Sequence, residues 1–348
     1  MREKKYLSIF SLLTFLFVGF HFITWNLLTK NFFIYKDSMM IGDLGRMSYL
    51  TKSLTVRKNE QTLASKHISY SNEIATIDVI TIGDSFSNGG GGGTNSYYQD
   101  YIATKQNLNV MNMQSSNSGY IETVLILNDN GILDKLNPKI IILGSVERRA
   151  VDRYAKIIDW KIGLKNNSTS FLDKEYGDFK PKPSFINNLN YNALLYERLY
   201  KYDDNAIFSK VYTADLSKNL FSSEDKNRLL FYFEDLTQLS KSNNKSISLL
   251  NKNLNQLQKI LNEKNIKLYF MPSVDKYNLY SKYIQNNQYQ QSTFFETLRP
   301  LKKEYSFIDT KMILEKMLDH NISDVYYSDD THWSYKARKE IFNQVKLK

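Results

Sequence analysis

The sequence predicts an α/β domain built on a doubly wound, mostly parallel sheet with an insertion, preceded by one N-terminal transmembrane helix. Three observations support this fold class. Short β-rich runs bounded by glycine or proline recur along the chain, helical patterns lie between them, and a long apolar run stands at the N-terminus. With 348 residues, the chain is long enough to bury a large core.

The N-terminal apolar run predicts a membrane anchor over residues 6–28. Apart from His21 it carries no ionisable group that is charged near neutral pH, its length suits a spanning helix, and Tyr6 and Trp25 stand where interfacial aromatic residues are usual. A cleaved signal peptide is the alternative, but no Ala-x-Ala site follows the run. The basic residues within 1–5 predict a cytoplasmic tail. The rest of a single-pass protein in the cytoplasmic membrane would then be periplasmic or extracellular.

The remaining chain is divided by its strand and helix patterns. The predicted strands lie at 77–82, 108–113, 140–143, 266–271 and 306–309, and Ser334 is a plausible N-cap of a final helix. Residues 29–75 have no clear period and are interpreted as a stalk or lead-in before the main domain, 76–348. An insertion at about 151–245 interrupts the alternation. Its tyrosines suit ordinary packing better than sugar stacking: Tyr191, Tyr196, Tyr200 and Tyr202.

Composition excludes little but argues against one class of partner. The net charge of +10 comes from scattered lysines rather than a basic stripe, so we interpret it as a solvated surface and expect no nucleic-acid partner. The chain has no cysteine, which fits an exported domain as well as a cytosolic one.

Two motifs supply the side chains that a serine nucleophile needs. Ser85 follows the first predicted strand in Gly-Asp-Ser, at the carboxyl end where ligands bind in such sheets. A serine hydroxyl reacts when an imidazole takes its proton and a carboxylate orients that imidazole. Of four histidines, only His332 has a carboxylate two residues away. We therefore predict Ser85 as nucleophile and His332 as base, with Asp330 favoured over Asp329 as the orienting group.

Other interpretations of these motifs have less support from the sequence. The glycine run 89–93 lacks the lysine of a phosphate-binding loop and is interpreted as a flexible loop beside the nucleophile. An isolated Asp-x-His is also half of a metal site, but no further histidine or cysteine stands at ligand spacing. We expect neither metal nor cofactor.

The motifs resemble the first and last blocks of the SGNH/GDSL hydrolase superfamily. The Asp-Thr-His-Trp form at 330–333 is similar to that of the SGNH-hydrolase-like proteins of polysaccharide O-acetylation, the class that includes the alginate O-acetyltransferases. A strand ending in Glu147-Arg148, and a Pro-x-x-x-Lys-x-x-x-Tyr segment at 272–280, strengthen the resemblance. It covers roughly 77–148 and 266–347, but not the insertion.

The resemblance implies an SGNH-like fold and a serine-dependent O-acetyltransferase acting on an exported or cell-surface polysaccharide. A multi-pass membrane acyltransferase would supply the acetyl group. The oxyanion hole would use the backbone N–H groups of Ser85 and Gly119 and a third donor, because Val146 stands where the hydrolases usually carry asparagine. A de-O-acetylase and a catalytically silent glycan-binding scaffold are the alternatives. The resemblance also suggests a set of substrate-binding residues: Glu147, Arg148, Lys276, Tyr280 and Trp333.

Overall fold

The computed structural model describes residues 2–32, 41–55, 57, 61–70, 76–165, 169–173 and 184–348. The α-helices are α1 (Arg2–Thr24), α2 (Asp43–Ser48), α3 (Tyr98–Gln106), α4 (Tyr120–Asp129), α5 (Ile132–Leu136), α6 (Glu147–Tyr154), α7 (Ile162–Lys165), α8 (Leu189–Leu199), α9 (Glu234–Thr237), α10 (Asn244–Asn262), α11 (Lys276–Tyr280), α12 (Phe294–Leu298), α13 (Thr310–Asp319) and α14 (Tyr335–Gln344). The strands are β1 (Ile68–Ser69), β2 (Val79–Ile82), β3 (Val110–Met113), β4 (Ile140–Val146), β5 (Val211–Asp215), β6 (Arg228–Tyr232), β7 (Lys267–Ser273) and β8 (Ser306–Phe307). A π-helical turn, Trp25–Thr29, continues α1.

Six strands form the central sheet in the order β1-β3-β2-β4-β7-β8, and every pairing in it is parallel. Strands β5 and β6 form a separate antiparallel pair. The prediction of an α/β fold with a mostly parallel sheet is thus confirmed. Each of the five predicted runs overlaps a strand of this sheet, and every residue of β2, β3 and β4 is buried, as strands of a parallel sheet covered on both faces are. Strand β1 was not predicted.

Strand β2 lies at the point where the strand order reverses. It pairs with β3 on one side and β4 on the other, with Ile82 level with Met113 and Leu143. In open parallel sheets, a crevice forms at the carboxyl ends of the strands at such a switch point. Ser85 follows β2 at this edge.

Local signals explain the helices that flank the sheet. Helix α10 begins with a capping box between Asn243 and Ser246, and Ser334 caps α14 by accepting from the Lys336 N–H at 3.1 Å. Helices α10 and α13 both contact β7, while α13, α14 and α3 contact one another in series and α10 contacts α6. Leucines at helical spacing on α10 are fully buried: Leu250, Leu254, Leu257 and Leu261.

One N-terminal helix is long and apolar enough to cross a membrane, over Glu3–Thr29. Its apolar side chains are largely exposed, as a lipid-facing helix requires. This confirms the predicted N-terminal apolar helix.

The described parts of the predicted stalk or lead-in, 29–75, pack onto the main sheet and its loops. Strand β1 pairs with β3, and Gly45 on α2 donates its N–H to the Asp329 carbonyl at 2.8 Å. The described lead-in is therefore packed into the domain rather than standing apart from it as a stalk.

The predicted insertion holds α7, α8, the β5–β6 hairpin and α9. Of its four tyrosines, Tyr191 stacks on Phe20, Tyr196 packs beside Tyr49, and the Tyr200 hydroxyl donates to Ser209. Tyr202 is the exception, with 88% of its surface exposed.

Candidate active site

The turn after β2 is held to the neighbouring strand by Asp84. One carboxylate oxygen of Asp84 accepts the Phe86 N–H at 3.1 Å, and the other accepts the Val146 N–H at 2.7 Å and a hydrogen bond from Arg153. Burial raises the pKa of Asp84, but Arg153 and these backbone donors outweigh it and bring the pKa below its ordinary value. The anionic side chain therefore fixes Ser85 above the sheet.

Ser85, His332 and Asp330 form one line of hydrogen bonds. The distance from His332 Nε2 to Ser85 Oγ is 2.7 Å, and from His332 Nδ1 to Asp330 Oδ1 it is 2.6 Å. A carboxylate only accepts, so Nδ1 carries hydrogen and the neutral ring accepts the serine proton at Nε2. The Asp330 carboxylate also accepts the His332 backbone N–H at 3.0 Å, which restrains the whole residue.

A buried arginine explains why the two adjacent aspartates differ. Arg57 Nη2 lies 2.8 Å from Asp329 Oδ1 and 3.2 Å from Asp330 Oδ2, with all three side chains almost completely buried. Asp329 also accepts the Gly42 N–H at 2.9 Å. Asp330, the aspartate favoured from the sequence, is the one that contacts His332, and Arg57 holds its second oxygen.

The charges around Ser85, His332 and Asp330 favour a basic imidazole at His332. Burial lowers the pKa of His332, but the Asp330 carboxylate more than offsets this, so the pKa lies above its ordinary value of 6.5. Burial also raises the pKa of Asp330, yet His332 and Arg57 hold it well below the usual range. Asp330 is therefore ionised wherever His332 titrates.

For an ester attacked by Ser85, we expect the rate to fall as the pH is lowered, because only neutral His332 accepts the Ser85 proton. The midpoint of this fall should lie above pH 6.5. In Asp330→Asn the midpoint should move down and kcat should drop by about 10⁴-fold. The kcat/KM profile from pH 5 to 9 measures both effects. Asp319→Asn, which changes an exposed carboxylate paired with Lys282, is the control and should leave the midpoint unchanged. A wild-type midpoint at or below 6.5 would contradict the assigned pair.

The glycine run packs against the imidazole, and its conformation depends on glycine. A Cβ on Gly90 would lie 2.5 Å from His332 Nε2 and 2.6 Å from the Ser85 carbonyl oxygen. The Gly91 carbonyl accepts from Arg57 Nε at 2.6 Å, and the Gly90 carbonyl accepts from Arg338 at 2.5 Å. The run predicted as a flexible loop is thus anchored by two buried arginines beside the base.

Lys276 and Tyr280 support the loop that carries the histidine. The Lys276 ammonium donates to the backbone carbonyls of Tyr327, Ser328 and Asp330 at 2.8, 2.8 and 3.1 Å. Burial lowers the pKa of Lys276 to about 7. The Tyr280 hydroxyl accepts the Tyr326 N–H at 3.2 Å. Both side chains are buried with their polar groups bound inside the protein, rather than facing a ligand.

The other residues suggested for substrate binding are also engaged internally. The Glu147 carboxylate accepts from Asn278, Ser292 and the Asp275 N–H, and burial raises its pKa. Arg148 donates to Asp275 at 2.6 Å and to Asp235 at 3.2 Å. The Trp333 ring is fully buried, edge-on to Phe86 at 4.9 Å between centroids. Among the described hydrogen bonds, none joins these three side chains to the Ser85 hydroxyl, which is bonded to His332.

Gly119 begins α4 with φ 134°, a conformation reserved for glycine. Its N–H donates to the Ser116 carbonyl at 3.3 Å, so an oxyanion would have to displace this long bond. Among the described residues, no carbonyl or side chain accepts the Ser85 N–H. Of the two predicted donors, the Ser85 amide is thus the one whose N–H is not already used within the described residues.

Sequence reasoning missed Asp43 beside the base, and also the carboxylate partner of His67 elsewhere in the domain. Asp43 accepts the Thr331 hydroxyl at 2.5 Å and its N–H at 2.8 Å, and its carboxylate lies 4.0 Å from His332 Nδ1. His67 has a carboxylate partner too, Asp100 at 2.7 Å, but these residues are 33 positions apart. Spacing along the chain reveals neither contact, and Arg57 was missed for the same reason.

Asp43, Asp330 and His332 offer three ligand atoms within 4.8 Å of one another. The His332 nitrogen in this group is bonded to Asp330, and the Asp43 oxygens are bonded to Thr331. Because these bonds already satisfy the group, we assign no metal role to it.

Comparisons of the chain with models of protein families, with curated proteins and with solved structures find no match in any of the three. A hydroxyl, an imidazole and a carboxylate in line, with an adjacent backbone N–H, are the groups required for acyl transfer through serine.

Proposed function

We propose that this protein is a membrane-anchored, serine-dependent O-acyltransferase that acts outside the cytoplasmic membrane and moves an acetyl group onto a polysaccharide hydroxyl. The observation that carries the proposal is the hydrogen-bonded line Ser85–His332–Asp330 at the carboxyl edge of the sheet. The membrane-length helix α1 supports the anchored location. The acetyl group and the polysaccharide come from the resemblance to the SGNH-hydrolase-like proteins of O-acetylation.

The proposed chemistry has two halves. In the first, Ser85 Oγ passes its proton to His332 Nε2 and attacks the donor carbonyl, with the Ser85 N–H positioned to stabilise the oxyanion. The leaving group takes the proton from His332 and departs, and Ser85 is left as its acetyl ester. In the second, His332 takes the proton of a sugar hydroxyl, whose oxygen attacks the acetyl carbonyl. The bond from Ser85 Oγ to the acetyl group then breaks, and Ser85 Oγ takes the proton back from His332.

A multi-pass membrane acyltransferase is the proposed source of the acetyl group. Acetyl-coenzyme A is cytoplasmic, whereas the Ser85 site would lie on the other side of the membrane. The protein would then take the group from the membrane partner's exported donor and pass it to the polymer.

A de-O-acetylase is the second candidate, and one observation favours it. The Ser85 side chain is only half-buried and the His332 side chain is 12% exposed, so water reaches the site. Water in place of a sugar hydroxyl in the second half would give hydrolysis.

Acceptor dependence separates the two activities. The full-length protein in detergent is incubated with 4-nitrophenyl acetate, with and without an oligosaccharide series. For a transferase, we expect acceptor to raise nitrophenol release, because it deacylates Ser85 faster than water. Mass spectrometry should then find acetylated oligosaccharide. Rapid release that no acceptor changes, with free acetate as sole product, would favour the de-O-acetylase.

A further inference from the structure

Helix α8 of the insertion is tied to the end of the N-terminal helix. Asn190 is fully buried and donates from Nδ2 to His21 Nδ1 at 2.7 Å, while its side-chain oxygen accepts from the Thr29 hydroxyl. His21 and Thr29 are buried as well, and Tyr191 stacks on Phe20 with 4.7 Å between ring centroids. The polar groups of this joint therefore satisfy one another, as is required at the edge of a membrane.

The joint lies where a spanning helix would leave the bilayer. From Tyr6 to Thr24 an α-helix rises about 27 Å, close to the roughly 30 Å of a hydrocarbon core. The lysines of α1 stand at the opposite end. Trp25, an aromatic residue typical of the interface, packs in one apolar cluster with Leu189, the first residue of α8. If α1 spans the membrane, α8 starts at the far interface.

The outward face of α8 is apolar. Leu194 and Leu195 are 42% and 53% exposed, while Ala193 on the other face is buried. Phe185 and Ile186, just before the helix, are 41% and 42% exposed. We call the exposed side chains of Phe185, Ile186, Leu194 and Leu195 the apolar patch; large exposed apolar patches are unusual on a water-facing surface.

Basic residues follow the apolar patch. Arg198 in the last turn of α8 and Lys201 just beyond it are both exposed. An apolar helix face with basic residues beside it is the pattern of helices that lie in the interface of membranes containing anionic lipids.

We propose that the outward face of α8 lies in the lipid headgroup region of the leaflet where α1 emerges, with Leu194 and Leu195 among the acyl chains. This rests on the proposed anchoring of α1. The tie at Asn190 keeps α8 beside α1, within about one helix diameter of 10 Å, and interfacial helices bury their apolar face by about 5–10 Å. Lipid is thus the molecule that this face of α8 would contact.

The contact would set the orientation of the candidate active site. Tyr200, which caps α8, packs against a cluster formed by Leu44 of α2 and by the β5–β6 hairpin. The neighbouring Asp43 begins α2 and binds Thr331 beside the base. A continuous series of contacts therefore joins the membrane surface to His332.

The test uses the full-length chain in nanodiscs of phosphatidylethanolamine and phosphatidylglycerol. Because the chain has no cysteine, Leu195→Cys gives a single site for an environment-sensitive fluorophore. The matched control is Met312→Cys on α13, where the native side chain is 48% exposed. A nitroxide on the lipid chain should quench the label at position 195 several-fold more than a water-soluble nitroxide does. The order should reverse at position 312.

Three outcomes would overturn the proposal. A label at position 195 that behaves like the one at 312 would place the face in water. If neither nitroxide quenches the label at position 195, this face of α8 is covered by protein, such as a second copy of the chain in the nanodisc. If the purified chain lacks residues 1–28, the N-terminal helix is a cleaved signal, and both the anchor and the membrane contact of α8 are excluded.

The proposed chemistry is tested separately by covalent labelling of Ser85 with a serine-directed phosphonate. Lipid quenching without that labelling would uphold the membrane contact and count against the acyltransferase.

Discussion

Ser85→Ala should abolish labelling by a serine-directed phosphonate and lower ester turnover by about 10⁶-fold, because the nucleophile and its proton are removed together. The wild-type label should map to the peptide that contains Ser85. The fold should be unchanged, since the Ser85 hydroxyl is bonded only to His332 within the described residues. Labelled peptide mapping and stopped-flow ester cleavage measure the two effects.

An exposed serine supplies the control for this change. Ser240→Ala removes a hydroxyl from a surface turn and should leave labelling and turnover at wild-type levels. His332→Ala should lose about as much turnover as Ser85→Ala, and the double variant no more, because the two residues act as one unit. Equal labelling of Ser85→Ala and wild type would end the nucleophile assignment. A wild-type protein that neither labels nor turns over would favour the glycan-binding scaffold.

Arg57→Met should destabilise the domain by about 3–5 kcal/mol, because it leaves the buried carboxylates of Asp329 and Asp330 without their cation. Burial and the neighbouring Asp330 already raise the pKa of Asp329 despite Arg57. Without Arg57 that pKa should rise further, so the loss of stability should shrink as pH falls and Asp329 takes up a proton. Denaturant unfolding in detergent at pH 5 and pH 8 measures the difference.

Arg149→Met is the matched control for Arg57. Arg149 also pairs with a carboxylate, Glu234 at 2.6 Å, but its side chain is 38% exposed, so the cost should stay below about 1 kcal/mol. Adding Asp329→Asn to Arg57→Met should restore part of the lost stability, since the uncompensated charge is gone. Equal effects of the two arginine changes would show that the buried network contributes no more than a surface pair.

Local patterns were sufficient for much of the fold. Short β-rich runs bounded by glycine or proline located five strands of the sheet, and the leucines of α10 and the Ser334 cap located helices, because each signal lies within one element. Strand β1 was missed because its two exposed residues, Ile68 and Ser69, carry no alternation.

The candidate site was predictable only where its residues form motifs. Ser85 and His332 stand out locally, and the spacing of Asp330 brings its carboxylate to the imidazole. Arg57 and Asp43 reach the same loop across more than 270 positions, and no short-range pattern marks them. Lys276 and Tyr280 were suggested by a motif, yet a motif does not say whether a side chain faces a ligand or the interior.

The interleaving of the lead-in with the histidine loop limits how the protein can be shortened. A soluble version beginning at residue 76 would discard Asp43, Arg57 and strand β1, and with them the partners of Thr331 and Asp329. Beginning at Ile41 would keep all three while removing the membrane-length helix. A shortened version that lacks the helix but keeps these contacts must therefore begin between the end of the helix and Ile41.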